Sequence, residues 1–390
     1  MIPEKQIPTK AFVVEKPGTP FELQDVVLDE VRENEVLVEM KYTGLCHTDL
    51  AVQQGVISLG DFPVVLGHEG AGIVRRIGTR VQDKTLREGD IVFLSFTSCY
   101  RDACTACHEG RTGFCRNFTE INFGGARGLS AADSPISLSG GDQRAVRAQF
   151  FGQSSLSKLA VVAETSIVKC PSESGITVAD LEHLAPLGCG YLTGAGTVLN
   201  VLKTKPKTRF VVLGMGAVGL AAMLTARAQG VETIVAVDIV DAKLELAASL
   251  GASHTLNTKQ QPDLVKGLRG LFSEGVDHIL DTTGVIPLLE ASVQALGHEG
   301  TLAIVGIAPV GSSLNINPRD ILVSCKRILG VIEGNSNPAL LLPYLINLYK
   351  QGKFPIDKFS KAYDADSMDQ ALKDLHTGKV IKPVIRWMDL

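Results

Sequence analysis

Val211-Val-Leu-Gly-Met-Gly-Ala-Val-Gly219 is a glycine-rich stretch of the G-x-G-x-x-G type that follows a β-type run and opens a helical one. The next β-type run ends in Asp238, 19 residues after Gly219. In dinucleotide-binding folds this pattern lets the backbone and a helix N-terminus approach the pyrophosphate, while the carboxylate binds the adenosine ribose. The stretch therefore predicts cofactor contacts at Gly214, Gly216, Gly219 and Asp238. Because Asp238 would repel a 2′-phosphate, NAD is favoured over NADP. The alternatives are a glycine-rich turn without a ligand and an Asp238 that only caps a helix.

Apolar runs alternate with helical segments around this stretch, from about residue 208 to residue 332. The apolar runs are Phe210–Leu213, Thr233–Asp238, His278–Asp281, Thr301–Ile307 and Ile328–Ile332. Amphipathic segments such as Val218–Gln229 and Ala242–Leu250 lie between them. The alternation is typical of βαβ units and predicts a doubly wound parallel sheet, the Rossmann fold, over residues 191–332.

The first part of the chain has short β-rich runs separated by turns that contain glycine or proline. Examples are Lys10–Val14, Glu35–Lys41 and Ile91–Ser95. They predict an irregular antiparallel β domain over residues 1–190. Residues 333–390 end in another apolar run, Ile381–Trp387, which is predicted to rejoin that domain. We therefore expect an α/β protein of two domains, one formed by 1–190 with 333–390 and the other by 191–332.

Composition is that of a globular protein and argues against two classes of partner. The chain has 390 residues, of which 45% are hydrophobic and 21% charged, as in an ordinary soluble protein. Its net charge of −4 gives little attraction to nucleic acid or to a membrane surface, so neither is an expected partner. The N-terminal Met1-Ile-Pro-Glu-Lys-Gln6 carries charges and a proline where a secretory signal needs an apolar run, which predicts a cytoplasmic protein.

Four of the eight cysteines lie within 17 positions and are spaced for metal binding. Cys104-x2-Cys107-x7-Cys115 has the close spacing of a structural zinc loop, and Cys99 is the candidate fourth ligand. Four thiolates complete a tetrahedron, so an ion here would hold the lobe 99–115 in place without taking part in chemistry. The alternative is a set of free or oxidised surface thiols.

A second group of metal-binding residue types is dispersed along the sequence. It consists of Cys46, of His68 with Glu69, and of Cys189, each in a segment that contains glycine. Two thiolates and one imidazole around zinc leave a fourth position open. Singly, each cysteine is more typical of a small buried residue, and His68 of a hydrogen-bonded core histidine. Composition and spacing alone do not unite residues that are so far apart.

Five motifs in this order resemble those of the zinc-dependent medium-chain alcohol dehydrogenases over nearly the whole chain. They are Cys46-His-Thr-Asp49, Gly67-His-Glu-x2-Gly72-x5-Gly78-x2-Val81, the Cys99–Cys115 lobe, Gly188-Cys-Gly190-x2-Thr193-Gly194, and Gly214-x-Gly216-x2-Gly219 with Asp238. Two further stretches, Phe150-Phe-Gly-Gln-Ser-Ser155 and Asp281-Thr-Thr-Gly284, are similar to the aryl-alcohol (benzyl alcohol) dehydrogenase branch. The resemblance implies a GroES-like catalytic domain beside the Rossmann domain, and two zinc ions per chain, one catalytic and one structural.

The resemblance assigns roles to the dispersed group. It implies that Cys46, His68 and Cys189 bind the catalytic zinc and that Glu69 is an alternative ligand. Asp49 would orient the ligand imidazole from behind. The plainer interpretations are a buried salt bridge for Glu69 and a helix-start cap for Asp49, and the cap is compatible with the orienting role.

The resemblance also implies a proton path, and the chain departs from the family pattern at two places. Thr48 would take the proton of the alcohol and pass it to the cofactor ribose. Many members have a histidine three residues later, where this chain has Ala51, so the proton would leave by water or by His47. In the structural lobe, four residues rather than two separate Cys99 from Cys104.

Further cofactor contacts are implied by the same matching. They are Thr193 beside the nicotinamide, His47 and Lys382 on the pyrophosphate, Lys243 on the adenosine ribose, and Val218 within the glycine motif. Both lysines could equally be solvated surface charges.

The function that follows is the NAD-dependent, reversible oxidation of a primary aryl or allylic alcohol to its aldehyde. It would proceed through a zinc-bound alkoxide and hydride transfer to the nicotinamide. Ile57, Phe96 and Phe150 are candidate walls of an apolar substrate pocket, and ordinary core packing is their alternative role. The expected ligand is thus a small-molecule alcohol or aldehyde.

Three other functions remain open at this stage. One is the oxidation of S-hydroxymethylglutathione, which needs a polar or charged pocket. Another is a biosynthetic reductase on the same scaffold, and the third is an NAD-binding protein without catalysis. Relatives pair between subunits at the edge of the nucleotide-binding sheet, so the resemblance implies a homodimer or homotetramer with Thr301–Ile307 near that edge.

Overall fold

The computed structural model describes residues 6–57, 60–99, 104–125, 127, 133–139 and 144–387. The chain forms two compact units. The first consists of 1–189, 337–347 and 356–390, and the second of 190–336 and 348–355. The second domain was predicted over 191–332, whereas the second unit covers 190–336 and also includes 348–355, which the prediction assigned to the first domain.

The secondary structure of the described residues is as follows. The strands are Ile7–Val14 (β1), Glu22–Leu28 (β2), Glu35–Gly44 (β3), Val64–Val65 (β4), Gly70–Ile77 (β5), Ile91–Leu94 (β6), Ile136–Leu138 (β7), Ala145–Val146 (β8), Leu159–Ala163 (β9), Ile167–Lys169 (β10), Arg209–Leu213 (β11), Thr233–Asp238 (β12), His254–Asn257 (β13), Val276–Asp281 (β14), Leu296–Ile304 (β15), Arg327–Gly330 (β16), Ser360–Asp364 (β17) and Lys382–Arg386 (β18). The α-helices are His47–Gln53 (α1), Thr105–His108 (α2), Phe118–Phe123 (α3), Leu181–Leu184 (α4), Gly190–Gly196 (α5), Ala217–Ala228 (α6), Asp241–Ser249 (α7), Leu264–Leu271 (α8), Ile286–Ala295 (α9), Pro318–Val323 (α10), Pro338–Lys350 (α11) and Met368–His376 (α12). In this part of the chain, every helix lacks the length or the apolarity that a bilayer crossing requires.

The first unit is built on two mainly antiparallel sheets, as the short β-rich runs predict. One sheet has the strand order β4-β1-β2-β7-β8, and the other has β10-β6-β5-β3-β18-β17 with β9 also paired to β3. The C-terminal strand β18 lies antiparallel to β3, with Val384 opposite Gly44. The predicted return of the chain end to this domain is therefore confirmed.

The second unit is a parallel sheet with the strand order β13-β12-β11-β14-β15-β16. Each apolar run predicted for this region contributes a strand, and the fold is the predicted doubly wound α/β type. Apolar side chains such as Val211, Val235 and Ile279 are fully buried in its core. Strands with side chains buried on both faces read as continuous apolar runs, which is why the sequence shows them so clearly.

The edge strand of this sheet is not the predicted run Thr301–Ile307 but the strand next to it. Thr301 of β15 pairs with His278 of β14 on one side and with Arg327 of β16 on the other. The edge is formed by β16, because the run that follows β15 in sequence adds one more parallel strand beyond it. Leu329 of this edge strand is 39% exposed.

Candidate active site and metal centres

The first metal-ligand candidate, Cys46, is fixed where strand β3 passes into helix α1. Cys46 is the N-cap residue of α1, and its backbone N–H donates to the Asp49 carboxylate at 3.2 Å. A carboxylate at the third helical position commonly satisfies the N-cap donor in this way. The predicted capping role of Asp49 is thus present, and it sets the position of the Cys46 backbone.

The same carboxylate holds the second candidate, His68. Asp49 Oδ1 lies 3.0 Å from His68 Nδ1 and also accepts the backbone N–H of Gly67 at 2.9 Å. Both side chains are buried. His68 Nε2 is buried too, and it has no hydrogen-bond partner among the described residues. Asp49 accepts the proton of Nδ1, so in the neutral ring Nε2 is the nitrogen whose lone pair can bind a metal ion.

The third candidate, Cys189, follows a tight turn that is locked against strand β6. The turn is the 3-10 helix Ala185–Gly188, and Ser95 Oγ donates to the Gly188 carbonyl at 2.6 Å. A Cβ atom on Gly188 would lie 1.8 Å from the carbonyl oxygen of Leu94, so only glycine allows this approach. The turn brings Cys189 next to the other ligands.

The fold thus unites residues that are far apart in sequence. The ligand atoms of Cys46, His68, Glu69 and Cys189 all lie within 4.8 Å of one another. Tetrahedral zinc with two sulfur ligands and one nitrogen ligand separates its ligand atoms by about 3.5 Å. The unpaired, buried Nε2 of His68 is what such an ion would bind. These residues fit a zinc ion.

The electrostatics of this group also favour a cation. The pKa of the Cys46 thiol is well below its usual value, mainly because the Cys189 side chain hydrogen-bonds to it; the charges of His68 and Lys382 act in the same direction, and burial opposes them. Thiolate is the form of cysteine that binds metal. Burial disfavours the charged form of His68, but Asp49 and Cys46 outweigh it and raise the pKa of His68 well above its usual value.

Glu69 forms a salt bridge with Lys382, a residue for which the sequence suggested a pyrophosphate contact or a solvated surface charge. Lys382 is 3% exposed, and its Nζ donates to both carboxylate oxygens of Glu69 at 2.9 Å and to the Leu45 carbonyl at 3.1 Å. The surface-charge alternative for Lys382 is therefore wrong. Its predicted pyrophosphate contact stays a prediction, and the salt bridge considered for Glu69 is present beside the metal group. Gly44 makes room for it, since a Cβ there would lie 2.1 Å from Glu69 Oε2.

The predicted proton path begins at the edge of this group. Thr48 Oγ1 lies 3.7 Å from Cys46 Sγ. His47 is the first residue of α1 and is exposed, whereas Ala51 has no group that can carry a proton. Both routes considered beyond Thr48, water and His47, are compatible with this arrangement.

The second cysteine group has the geometry of a separate four-sulfur centre. The Sγ of Cys99 lies 3.5 Å from those of Cys104 and Cys107, and 3.4 Å from that of Cys115. A disulfide needs a sulfur separation of about 2.05 Å, so these thiols are not oxidised in pairs. Backbone hydrogen bonds from Arg116 and Cys107 lower the pKa of Cys104 to about 6. The structure thus brings Cys99 close to the other three cysteines of the lobe. Residues 100–103, which separate Cys99 from Cys104, lie outside the described residues.

The nucleotide-binding stretch adopts the predicted strand–turn–helix form between β11 and α6. Gly214 has a φ of +91°, and a Cβ on Gly219 would lie 1.9 Å from the Gly214 carbonyl oxygen. Asp238 at the end of β12 accepts the Met215 N–H at 2.7 Å, which ties the carboxylate to the glycine turn. Asp238 Oδ1 also accepts the N–H groups of Ile239 and Val240 at 2.8 and 3.0 Å, directly before α7, but the N-cap residue itself is Val240.

Thr282, which follows β14, binds this glycine turn and was missed by sequence reasoning. Its hydroxyl donates to the carbonyls of Leu213 at 2.8 Å and Gly214 at 3.2 Å. The motif Asp281-Thr-Thr-Gly284 was the available signal, but it pointed only to a branch of the family.

Comparison with known proteins agrees with this geometry. The family description "Alcohol dehydrogenase GroES-like domain" matches residues 32–172, and "Zinc-binding dehydrogenase" matches residues 217–346. A geraniol dehydrogenase of Castellaniella defragrans is 35% identical over 97% of this chain and 98% of its own length. The chain belongs to the zinc-dependent medium-chain alcohol dehydrogenases. Members of this family are oxidoreductases that use zinc and NAD(P), and their substrates are small alcohols and aldehydes.

Two other relatives of this alcohol dehydrogenase are named for different substrates. The crystal structure of benzyl alcohol dehydrogenase from Acinetobacter calcoaceticus is 40% identical, covers 97% of this chain and 99% of its own, and superposes with a TM-score of 0.87. A probable S-(hydroxymethyl)glutathione dehydrogenase of Schizosaccharomyces pombe is 33% identical over 98% of this chain and 97% of its own length.

Two phenylalanine rings pack beside the imidazole of His68, the candidate metal ligand of this dehydrogenase. His68 lies 5.6 Å from Phe150 and 4.7 Å from Phe151, measured between ring centroids. Phe123 packs on both phenylalanines. Phe150 is 0% exposed and Phe96 is 2% exposed, so in this structure both rings pack in the core. Their role as pocket walls stays a prediction. Phe151, the nearer ring, was not singled out from the sequence.

The remaining predicted residues of this dehydrogenase lie as follows. Val218 is in the first turn of α6, Lys243 is in α7, and Thr193 is buried in α5. Ile57 is partly exposed and precedes residues 58–59, which lie outside the described part of the chain.

Gln153 is a further residue that sequence reasoning missed. It is fully buried, its side-chain amide donates to the His68 carbonyl at 3.0 Å, and its side-chain oxygen accepts the Gly70 N–H at 3.1 Å. It fixes the segment that carries His68.

Proposed function

We propose that this alcohol dehydrogenase oxidises primary aryl or allylic alcohols to aldehydes with NAD. The observation that carries the proposal is the convergence of Cys46, His68 and Cys189, with His68 Nε2 buried and without a hydrogen-bond partner among the described residues. An aromatic cluster next to His68 and similarity to a geraniol and a benzyl alcohol dehydrogenase support the substrate class. When bound, zinc makes the proton of the alcohol more acidic, and the nicotinamide accepts the hydride.

The side chains of this enzyme hold the reactants and move one proton. Asp49 fixes the ring of His68, so that Nε2 faces the two sulfurs. Thr48 lies beside Cys46, and its Oγ1 accepts the alcohol proton while its own hydroxyl proton passes on to water or to His47. The buried pair of Glu69 and Lys382 balances charge next to the ligands, and removing one partner of such a pair costs about 3–5 kcal/mol.

The substrate class is tested by steady-state kinetics. With NAD, we expect kcat/KM for benzyl alcohol and geraniol to exceed that for S-hydroxymethylglutathione by at least about 100-fold. The physical reason is that an apolar site offers no partner to the carboxylates of the glutathione moiety. A preference for S-hydroxymethylglutathione would contradict the proposal. So would zinc-loaded protein that turns over none of these alcohols, as expected of a reductase or of a non-catalytic NAD-binding protein.

The preference for NAD is proposed to come from Asp238. In Asp238→Ala, the ratio of kcat/KM with NAD to that with NADP should fall at least about tenfold, because a negative charge that repels the 2′-phosphate is gone. The ratio is the measurement of choice, since the loss of the Met215 contact affects both cofactors. Asp241→Ala is the matched control, an exposed carboxylate in the first turn of α7, and should leave the ratio unchanged. An unchanged ratio in Asp238→Ala would remove this role.

We further propose two zinc ions per chain, a cytoplasmic location, and a homodimer or homotetramer. The exposed edge strand β16 and apolar side chains near it support self-association. Those side chains are Leu322, Val323, Leu329 and Ile332, which are 76%, 60%, 39% and 48% exposed. The mass of the protein in solution measures the oligomeric state directly.

A further inference from the structure

Glu333 is a buried carboxylate at the edge of the parallel sheet where cofactors bind. It follows β16, and the backbone there is tied to the end of β15 by the Val331 N–H, which donates to the Ile304 carbonyl at 3.0 Å. Ligands of open α/β sheets lie at the carboxyl ends of the strands. The Glu333 residue is only 9% exposed.

The backbone around Glu333 is held in a strained conformation. Glu333, Gly334 and Asn335 have φ values of +47°, +61° and +49°, so three successive residues are left-handed. Residues other than glycine adopt this region only at an energetic cost. Ser336 Oγ donates to the Glu333 carbonyl at 2.7 Å, and Asn200 Nδ2 donates to the Gly334 carbonyl at 3.0 Å. Strain that is held by specific side chains is frequent where a ligand is positioned.

The carboxylate of Glu333 is bound by Thr193. Thr193 Oγ1 donates to Glu333 Oε2 at 2.9 Å. Thr193 lies in α5, four residues after Cys189 in sequence. The neighbouring Gly194 approaches α6 so closely that a Cβ there would lie 2.1 Å from the Val218 carbonyl oxygen.

This placement follows the path of the cofactor. A dinucleotide with its pyrophosphate at the N-terminus of α6 and its adenosine ribose at Asp238 extends its nicotinamide end to the other side of the glycine turn. In the strand order of the second unit, Asp238 ends β12 on one side of β11, and Glu333 follows β16 on the other side.

We propose that Glu333 is a positioning residue for the nicotinamide end of the cofactor, and that its negative charge favours the oxidised ring over the reduced one. The oxidised nicotinamide carries a positive charge and the reduced ring is neutral. A nearby carboxylate therefore attracts only the oxidised form. The inference rests on the proposed use of NAD and adds a preference for one oxidation state.

The test compares the binding of NAD⁺ and NADH to the zinc-loaded, full-length enzyme by calorimetric titration. In Glu333→Gln, which keeps the shape and removes the charge, Kd for NAD⁺ should rise by about tenfold and Kd for NADH by less than about threefold. Glu299→Gln is the matched control. Glu299 is also a left-handed glutamate in the second unit, with a φ of +57°, but it is exposed. It should leave both constants unchanged.

Two outcomes in Glu333→Gln would overturn the proposal. One is an equal rise of Kd for both cofactors, as expected of a purely structural role, and the other is no change in either Kd. Glu333→Asp provides a second variant that retains the charge. It should keep the ratio of Kd for NAD⁺ to Kd for NADH within about threefold of the wild-type value, even if both constants rise. A rise of this ratio in Glu333→Asp to the value found in Glu333→Gln would also contradict the inference. Failure of the wild-type enzyme to bind either cofactor would instead refute the proposed use of NAD.

Discussion

Cys46→Ala should lower kcat/KM for the best alcohol substrate at least about 1000-fold, since the loss of a metal that stabilises the transition state costs several kcal/mol. The variant should contain one zinc ion fewer per chain than the wild type. Binding of NADH should persist, because the glycine turn lies in the other unit and shares no side chain with the metal group. Metal analysis, kinetics and a cofactor titration measure these three effects.

Controls for this substitution come from the other cysteines. Cys170→Ala removes a thiol that is buried to a similar extent as Cys189, at 7% and 8% exposure, but belongs to neither metal group. It should retain zinc and activity. The double variant Cys46→Ala/Cys189→Ala should be no slower than either single variant, since ligands of one ion act as a unit. Near-normal rates in Cys46→Ala, or losses that multiply in the double variant, would contradict metal-assisted chemistry at this site.

Cys107→Ser is expected to have a large effect of a different kind. Loss of one ligand from the four-sulfur centre should remove its zinc, whose binding energy is coupled to folding of the 99–115 lobe. We expect the zinc content to fall by one ion per chain and the unfolding midpoint to fall by about 10 °C, the equivalent of several kcal/mol in a domain of this size. Calorimetry and metal analysis of the same sample measure both.

The other metal site should survive that substitution. At a temperature well below the unfolding midpoint, Cys107→Ser should keep its activity within about tenfold of the wild type, because a closed four-thiolate site takes no part in the reaction. Cys170→Ser is the matched control for a buried cysteine and should change neither zinc content nor midpoint. Unchanged zinc in Cys107→Ser would show that this group is not a metal site.

Features that depend on neighbours in sequence could be predicted. The glycine stretch and Asp238 lie on adjacent parallel strands, so their spacing in the sequence fixes their meeting in space. The cysteines of the lobe are equally close along the chain. The strands of the second unit could be predicted because strands that are buried on both faces have long apolar runs in the sequence.

Features that depend on distant contacts were missed or misplaced. Lys382 and Glu69 are 313 positions apart, and nothing in either segment shows that one will pair with the other. The bond of Thr193 to Glu333 spans 140 positions in the same way. The edge of the parallel sheet was misplaced because strand order is a property of the assembled sheet, and the pattern of each strand does not encode it.

The dispersed metal group is the intermediate case. Residues around Cys46, His68 and Cys189 gave no physical reason to join them, and only the resemblance to a family did so. The structure supplies the physical reason: Asp49 ties Cys46 to His68, and the turn locked by Ser95 brings up Cys189.

A diffraction experiment at the zinc absorption edge tests the central claim most directly. We expect an anomalous peak about 2.3 Å from the sulfurs of Cys46 and Cys189 and about 2.0 Å from Nε2 of His68. Crystals of zinc-loaded enzyme with no anomalous density between these three atoms would contradict the account.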